Sequence, residues 1–539
     1  MSLLFLLLTL PVVILLGAAT VVIWRPRRRS PLPERAALAV LGVTGLAVVH
    51  LVVAGPGSLT LADADAGLSL RLDAVSATMA LLVGFIGWIV MRYGRSYLDG
   101  APNETLFHAL MLVTLAAILM VVLSGGLGLM ILGLIAVGLA LRRLLLFYPD
   151  RPEARRAAAK FTLVWGAGDL ALIGAAGLFW LAFGTLDLVA IGAAVQSGLP
   201  LAGQGAVALL VLAAALKTAS FPLHGWLTEV MEAPTPVSAL LHAGIINSGG
   251  LILIRLAEAV QASPGAMAAL VMLGGFTALF GGVVMLTQSA VKTALAWSTV
   301  AQMGFLLLQC GLGLWPLALL HIVAHSAYKA HAFLASGGAV QAVLAVRRPG
   351  PVAVPGGAAV AKSFALALVL YAVVATGFGL IAGPKSAQAL ALGAILIFGV
   401  AYLVAQGLAD AAPRALTLRT AGASLAAAVA YFGFHTLAAL LWGPHLPAAP
   451  VPGPLEWALV VLAVASFGLV AVAQALFPLW AHHPASAGLR VHLANGLYLN
   501  AVLDRDRRAE DREIQLIRQE RHRCSSSMTQ SRPTARRRS

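Results

Sequence analysis

Stretches of about twenty apolar residues, almost free of charge, follow one another along most of this chain. Each is long enough to cross a hydrocarbon core of roughly 30 Å as a helix. A backbone in lipid has to satisfy its own hydrogen bonds, so only helices and closed barrels qualify. The runs are too long for barrel strands and do not alternate, which excludes a barrel. The expectation is an all-α polytopic membrane protein with about 15 transmembrane helices. The segments fall near 2–24, 36–54, 73–92, 106–124, 126–148, 162–183, 205–233, 238–260, 265–287, 290–312, 315–346, 361–384, 387–411, 418–442 and 454–477. Composition agrees: 60% of residues are hydrophobic, 11% are charged and the mean hydropathy is +0.91. Soluble domains lie far from those values. The first segment lacks a basic leader and a cleavage site, so it reads as a retained span rather than a signal peptide.

Charge tests the count. Basic clusters follow the first span (Arg25, Arg27, Arg28, Arg29), the third (Arg92, Arg95) and the fifth (Arg151, Arg155, Arg156, Lys160). They recur after the eleventh (Arg347, Arg348), the thirteenth (Arg414, Arg419) and the last. Each follows an odd-numbered helix, while the opposite loops "GTLDLVAIGAAVQSGLPLAGQG" and "QASPGAM" carry no Lys or Arg. By the positive-inside rule the N-terminus lies outside and the C-terminus in the cytoplasm of a bacterial inner membrane. The net charge of +15 is then mostly topology signal, and no nucleic-acid partner is expected. The tail 505–539, with eleven Arg against five acidic residues, reads as a cytoplasmic segment drawn to anionic lipid. Cys310 and Cys524 are the only cysteines, one in an apolar run and one in the tail. No disulfide framework or Cys-based metal site is implied.

Ionisable side chains inside a membrane are costly and point to an ion path. A single such Lys or His can be satisfied or snorkelling, but here they gather. Asp169 follows "VWGAG" in the sixth span and Lys217 lies in the seventh. Seven residues on, His224 is expected on nearly the same helical face. "EAPTPVSALLH" then brings Glu232, Pro234, Pro236 and His242. Proline removes a backbone donor and clashes with the preceding turn. A helix break is therefore expected at Pro234 and Pro236, with half-helix ends lining a cavity. Further on, Lys292 opens the tenth span. In the eleventh, His321, His325 and Lys329 are spaced i, i+4 and i+8, which makes one polar stripe. His331 lies off it. No Glu follows the first His and no Cys or carboxylate is near in sequence, so neither a metal nor a cofactor is expected. Histidine titrates near neutral pH, which suits a His and Lys chain to proton relay. The twelfth span carries "ATGFGLIAGPKSAQAL", where Gly383 and Pro384 suggest a second break. Breaks five helices apart imply two inverted five-helix repeats, 106–260 and 265–411. Helices 1–3 (1–105) would precede them, with C-terminal helices (412–480) and the tail (481–539) after.

These stretches resemble the antiporter-like proton-translocating family of respiratory complex I and of multisubunit cation/proton antiporters. "KTASFPLHGWLTEVMEAPTPVSALLHAG" looks like that family's Lys-bearing, Pro-broken helix. "VKTALAWSTVAQMGF", "LHIVAHSAYKAHAFLASG" and "WGAGDLALI" are similar to three further family segments, and the likeness covers roughly residues 70–345. Motif by motif, the resemblance assigns the proton path to Lys217, His242, Lys292, His321, His325 and Lys329, with Asp169 as a weaker match. The family's fifth helix carries a Glu that partners the seventh-helix Lys. Here "LGLIAVGLALRRLLLFY" places Ile135 at that position. Asp169, or else Glu232, is the candidate to supply the missing carboxylate. Ala290 stands where an Asp is usual.

"AYKAHAFLASGG" and "RRLLLFYPDRPEARRAAAKF" are similar to the DabB branch, the membrane subunits of DAB inorganic-carbon accumulation complexes. "LLHAGIINSGGLILIR" differs from the complex I wording. That branch implies a DabA partner, a cytoplasmic zinc protein, with cation flux through the membrane subunit coupled to one-way hydration of CO2. The catalytic metal would then lie on the partner. Two other readings stay open: a subunit of a complex I-like, hydrogenase or cation/proton antiporter assembly, and a membrane scaffold whose channel is disabled at Ile135.

Overall fold

The computed structural model describes residues 3–338, 356–407, 414–480 and 483–501. The apolar runs become helices: α1 (Leu3–Trp24), α2 (Leu32–Ala54), α3 (Ala74–Tyr97), α4 (Glu104–Val122), α5 (Leu127–Leu145) and α6 (Pro152–Phe183). A short α7 (Leu188–Val195) leads to α8 (Leu201–Lys217), α9 (Gly225–Glu229), α10 (Thr235–Ala243), α11 (Ser248–Arg255) and α12 (Ala257–Gln261). Then come α13 (Pro264–Met285), α14 (Val291–Gly311), α15 (Trp315–Leu334), α16 (Gly357–Ala382), α17 (Ala387–Gly407), α18 (Arg414–Trp442), α19 (Pro454–Ala475) and α20 (Phe477–Trp480). Among the described residues, 12 helices are long and apolar enough to cross a membrane, with α10 and α11 taken together as one of them. The remaining sequence segments appear as the 17-residue α8, the His- and Lys-bearing α15, and α17. The chain is an all-α, multi-pass membrane protein. Arg347, Arg348, Cys524 and the tail from 502 onward lie outside the described residues.

Side-chain contacts sort the loops into two sets. At one end Arg95 pairs with Glu34 at 2.9 Å, Arg29 with Asp99 at 2.5 Å, and Arg151 with Glu232 at 2.9 Å. There Lys292 donates to Thr235 Oγ1 (3.2 Å), which lies 3.3 Å from the Tyr97 hydroxyl. At the other end Arg255 closes α11 by donating to Asp73 Oδ2 (2.6 Å) and to Ser124 O (3.0 Å). Among the described residues up to Lys292, the loops after odd-numbered spans thus gather at one end and the contacts of the loops after the second, fourth and eighth spans lie at the other, as the charge parity predicts for them.

That second end carries a feature the hydropathy did not announce. Strands β1 (Gly57–Thr60) and β2 (Ser69–Leu72) pair antiparallel, with Gly57 opposite Leu72 and Thr60 opposite Ser69. The ribbon continues into the α4–α5 turn through Gly125 N to Ser69 O at 2.7 Å. A Cβ on Gly126 would sit 2.3 Å from Gly67 Cα, so the backbones meet only because both residues are glycine. Small residues do the same work in the membrane: a Cβ on Gly304 of α14 would lie 2.4 Å from Ala278 N of α13. Such close backbone approach is how helices associate where burial from water contributes little.

The breaks match expectation in part. Helix is lost twice after Lys217, first at 218–224 and again at Ala233–Pro234, which are extended, so the break expected at Pro234 is present and an earlier one accompanies it. Pro234 is the N-cap of α10 and Pro236 sits in its first turn. Proline is tolerated there because those N–H groups have no helical partner in any case. Pro222 lies inside the first of the two breaks. Gly383, at φ 80°, ends a continuous 26-residue α16, and Pro384 lies in the turn to α17. Twenty-six residues span about 39 Å, the full bilayer core, so this turn is a connection between two spans and not a mid-membrane break.

Residues 3–483 form one compact unit; the second begins at Pro484 with α21 (Pro484–Ala494) and a 3-10 turn at Gly496–Tyr498.

Candidate functional site

Two polar clusters lie in the helical body. The first joins α6 to the end of α8. Lys217 is the last residue of α8 and none of its surface is exposed. Its Nζ donates to Asp169 Oδ1 at 2.6 Å and sits 3.9 Å from the centre of the Trp165 ring. Trp165 and Asp169 are one turn apart on α6, so both reach the same point. Gly168 lies between them, where a Cβ would press on Lys217 Cγ at 3.3 Å. The ammonium thus rests between a carboxylate and an aromatic face, the two groups that best replace its hydration. Helix α5 contributes no carboxylate, since Ile135 is there. It contributes a carbonyl: Leu134 O accepts from the Trp165 indole at 3.1 Å and holds that ring in place.

The second cluster joins α10, α14 and α15. His242 is fully buried, stacks on Phe333 with ring centres 4.3 Å apart, and places Nδ1 3.0 Å from Thr299 Oγ1. The Thr299 hydroxyl donates to Leu295 O, so it accepts from His242. Nδ1 therefore donates, and Nε2 meets no protein partner. Lys329, also fully buried, donates to the same Leu295 O (3.1 Å) and to Ser298 Oγ (2.8 Å). His325 lies one turn away on α15 with both ring nitrogens unpartnered, and its ring is 5.8 Å from that of His321. His321 Nδ1 is 2.9 Å from Gln309 Oε1. A cavity of about 500 Å³ opens beside His321 and His325 toward Tyr431 on α18. His435 lies one turn beyond Tyr431, and Lys385 reaches the adjoining Thr436 at 3.3 Å.

The structure thus unites Lys217 with Asp169, and His242, His321, His325 and Lys329 with one another. Three expected members stand apart. His224 is not on the Lys217 face, because the helix ends at Lys217. It lies among Phe221, Phe280 and Trp297, with ring centres 6.0, 5.8 and 4.7 Å away. Glu232 pairs with half-exposed Arg151 at the loop end and does not approach Lys217. Lys292 belongs to the Thr235–Tyr97 chain at that same end. His331 is exposed. Sequence reasoning passed over Trp165, Ser298, Thr299 and Gln309. Trp165 was legible as the residue one turn before Asp169, while the others are ordinary helix residues until α14 and α15 are packed together. Among the described residues no three His, Cys, Asp or Glu side chains cluster as metal ligands.

Comparisons with known proteins identify the family. The model of the NADH:quinone oxidoreductase/Mrp antiporter transmembrane family matches residues 124–348, and that of the complex I chain 5 N-terminus matches 59–108. The probable inorganic carbon transporter subunit DabB2 of Halothiobacillus neapolitanus is 38% identical over 484 residues, covering 87% of this chain and 86% of its own. The chain belongs to the DabB family. NADH-quinone oxidoreductase subunit L of Mycobacterium tuberculosis is 32% identical over 281 residues, covering 51% of this chain and 44% of its own. A solved Mrp complex from Dietzia superposes with a TM-score of 0.63 at 22% identity, covering 99% of this chain and 64% of that one, a likeness of fold. The family's relatives are subunits of larger assemblies, and both polar clusters fall within residues 124–348 apart from the Tyr431, His435 and Lys385 extension.

Proposed function

We propose that this chain is the proton-conducting membrane subunit of an inorganic-carbon accumulation complex. It would pass cations, protons in the first place, through the bilayer and so drive CO2 hydration by a DabA-like cytoplasmic zinc protein. The observation that carries the reading is Lys217, fully buried, held by Asp169 on a neighbouring helix at the point where α8 breaks off. A buried ammonium held by one carboxylate exchanges its proton when the carboxylate is drawn away. The break at 218–224 gives the Lys217 end of α8 a hinge to do so. His242, His325 and His321, each with a ring nitrogen that meets no protein partner, and Lys329 supply successive stations beyond it. Asp169 on α6 takes the part that the family's fifth-helix Glu would take, which argues against a channel disabled at Ile135. The five-helix units 106–260 and 265–411 would each carry one half of this path. The chain would lie in a bacterial inner membrane with its N-terminus outside and its C-terminus cytoplasmic.

Purification from native membranes tests the partner. Recovery of a zinc-bearing cytoplasmic protein, and bicarbonate accumulation that collapses with the proton gradient, is the expected result. The match to NADH-quinone oxidoreductase subunit L over half the chain supports a second reading, membership of a quinone-linked or antiporter assembly. Iron–sulfur, quinone-binding or small antiporter subunits in the purified complex would establish that reading and overturn the first.

A further inference from the structure

Between α10 and α11 the helix gives way to a 3-10 turn over Ile245–Asn247, with Gly244 at φ −119° and ψ −75°. This turn carries Asn247 inward until 1% of its surface is exposed. Its amide nitrogen donates to Ala243 O and to Ser326 Oγ of α15, both at 3.0 Å. A backbone carbonyl can only accept, so the nitrogen is fixed on that side and Oδ1 faces the other way. Oδ1 meets no protein donor, and the buried Ser248 hydroxyl is likewise unpartnered. Buried polar atoms in folded proteins almost always hold a hydrogen bond, to protein or to ordered water. A cavity of about 40 Å³ adjoins them, lined by Asn247, Ser248 and Ser326 and otherwise by apolar side chains such as Met79, Val83 and Val137. That is room for about three or four waters, at about 10–15 Å³ each on this measure.

We propose that this cavity is a built water site, in which Asn247, Ser248 and Ser326 hold water as a side branch of the Lys329–His325 axis. Asn247 is its positioning residue. Ser326 adjoins His325 and lies one turn from Lys329, so the branch meets the axis there. The donor set selects water over a metal ion. It offers three neutral oxygens and no carboxylate, while a dehydrated cation needs more ligands and stands beside an ammonium. The water site follows from the geometry alone; its part in conduction rests on the function proposed above.

The test uses the full-length protein in lipid nanodiscs, imaged at a resolution that shows ordered water, with proton flux measured in parallel in proteoliposomes. Density within hydrogen-bonding distance of Asn247 Oδ1 and Ser248 Oγ is expected. Val83→Ile adds one methylene to the cavity without touching a polar group, and Ser248→Ala removes one ligand at little change in volume. Each should lower flux by about tenfold, the factor that one hydrogen bond commands. Thermal stability and wild-type assembly should be kept, and Val83→Ile should also lose the density. A wild-type cavity without density overturns the site. Density lost in Val83→Ile with flux at the wild-type rate overturns the branch. A wild-type protein that conducts nothing, with density present, supports the site and overturns the function proposed above.

Discussion

Replacing Asp169 by Asn should leave the Lys217 ammonium buried without its counter-charge. At 2.6 Å and an effective dielectric constant of ~20, the gross attraction is about 6 kcal/mol. Desolvating the two ions offsets several kcal/mol for each, so the intact pair adds little net stability. Removing one partner is a different matter and costs about 3–5 kcal/mol, because the other charge stays behind unpaired. The Trp165 face, 3.9 Å from Nζ, returns roughly 2 kcal/mol of that. Asp169→Asn should therefore destabilise by about 1–3 kcal/mol. Lys217→Met should lose about as much, at the lower end, because the Asp169 side chain keeps 13% exposure and some water. The double variant carries neither charge and should fall within about 1 kcal/mol of wild type, so the coupling should approach the sum of the two single losses, roughly 2–4 kcal/mol. Proton flux behaves otherwise: each single variant and the double should lose it about equally, since the carrier or its partner is gone in all three. The assay is thermal unfolding of tagged protein in detergent, paired with pH-gradient dissipation in proteoliposomes. Strictly additive stability losses, or a double variant that conducts, would refute the pairing.

Three further outcomes follow from the geometry. Lys329→Gln keeps a donor for Ser298 and Leu295 O but holds no transferable proton, so flux should vanish while assembly stays near wild type; retained flux in vesicles removes Lys329 from the path. Glu232→Gln breaks only a half-exposed ion pair with Arg151, worth at most about 1 kcal/mol, and should leave both flux and yield unchanged; a flux defect would put Glu232 back among the path residues. Gly304→Val forces side-chain atoms against the α13 backbone, where a Cβ alone would sit 2.4 Å from Ala278 N, and should cost about 1–3 kcal/mol or more; wild-type thermal stability would contradict the close α13–α14 approach.

The fold class, most of the apolar spans, the alternating ends of the described loops up to Lys292 and the buried Lys217, His224, His242, His325 and Lys329 were legible in the residues themselves. Lipid leaves the backbone one solution, and length, hydropathy and the placement of arginines report it directly. The Lys217–Asp169 pairing was also within reach, because a buried ammonium needs a counter-charge and the neighbouring span offers one carboxylate. Local rules misled where one residue type serves two roles. Pro234 does stand at a break, but Gly383 and Pro384 only end a full-length α16, because the same residues serve a mid-span interruption and a connection between spans. His224 was assigned to the Lys217 face by counting along a helix that ends seven residues earlier. Glu232 could be placed against Arg151 only once the end of α9 had met the α5–α6 loop. Tertiary packing alone decided that Thr299 and Ser298 stand beside His242 and Lys329, that Trp165 lies beneath Lys217, and that Asn247 turns its carbonyl into a cavity. Each of these depends on the distance and rotation between two helices. Spacing along one helix says which residues share a face, and it carries no information about which face of another helix comes to meet it.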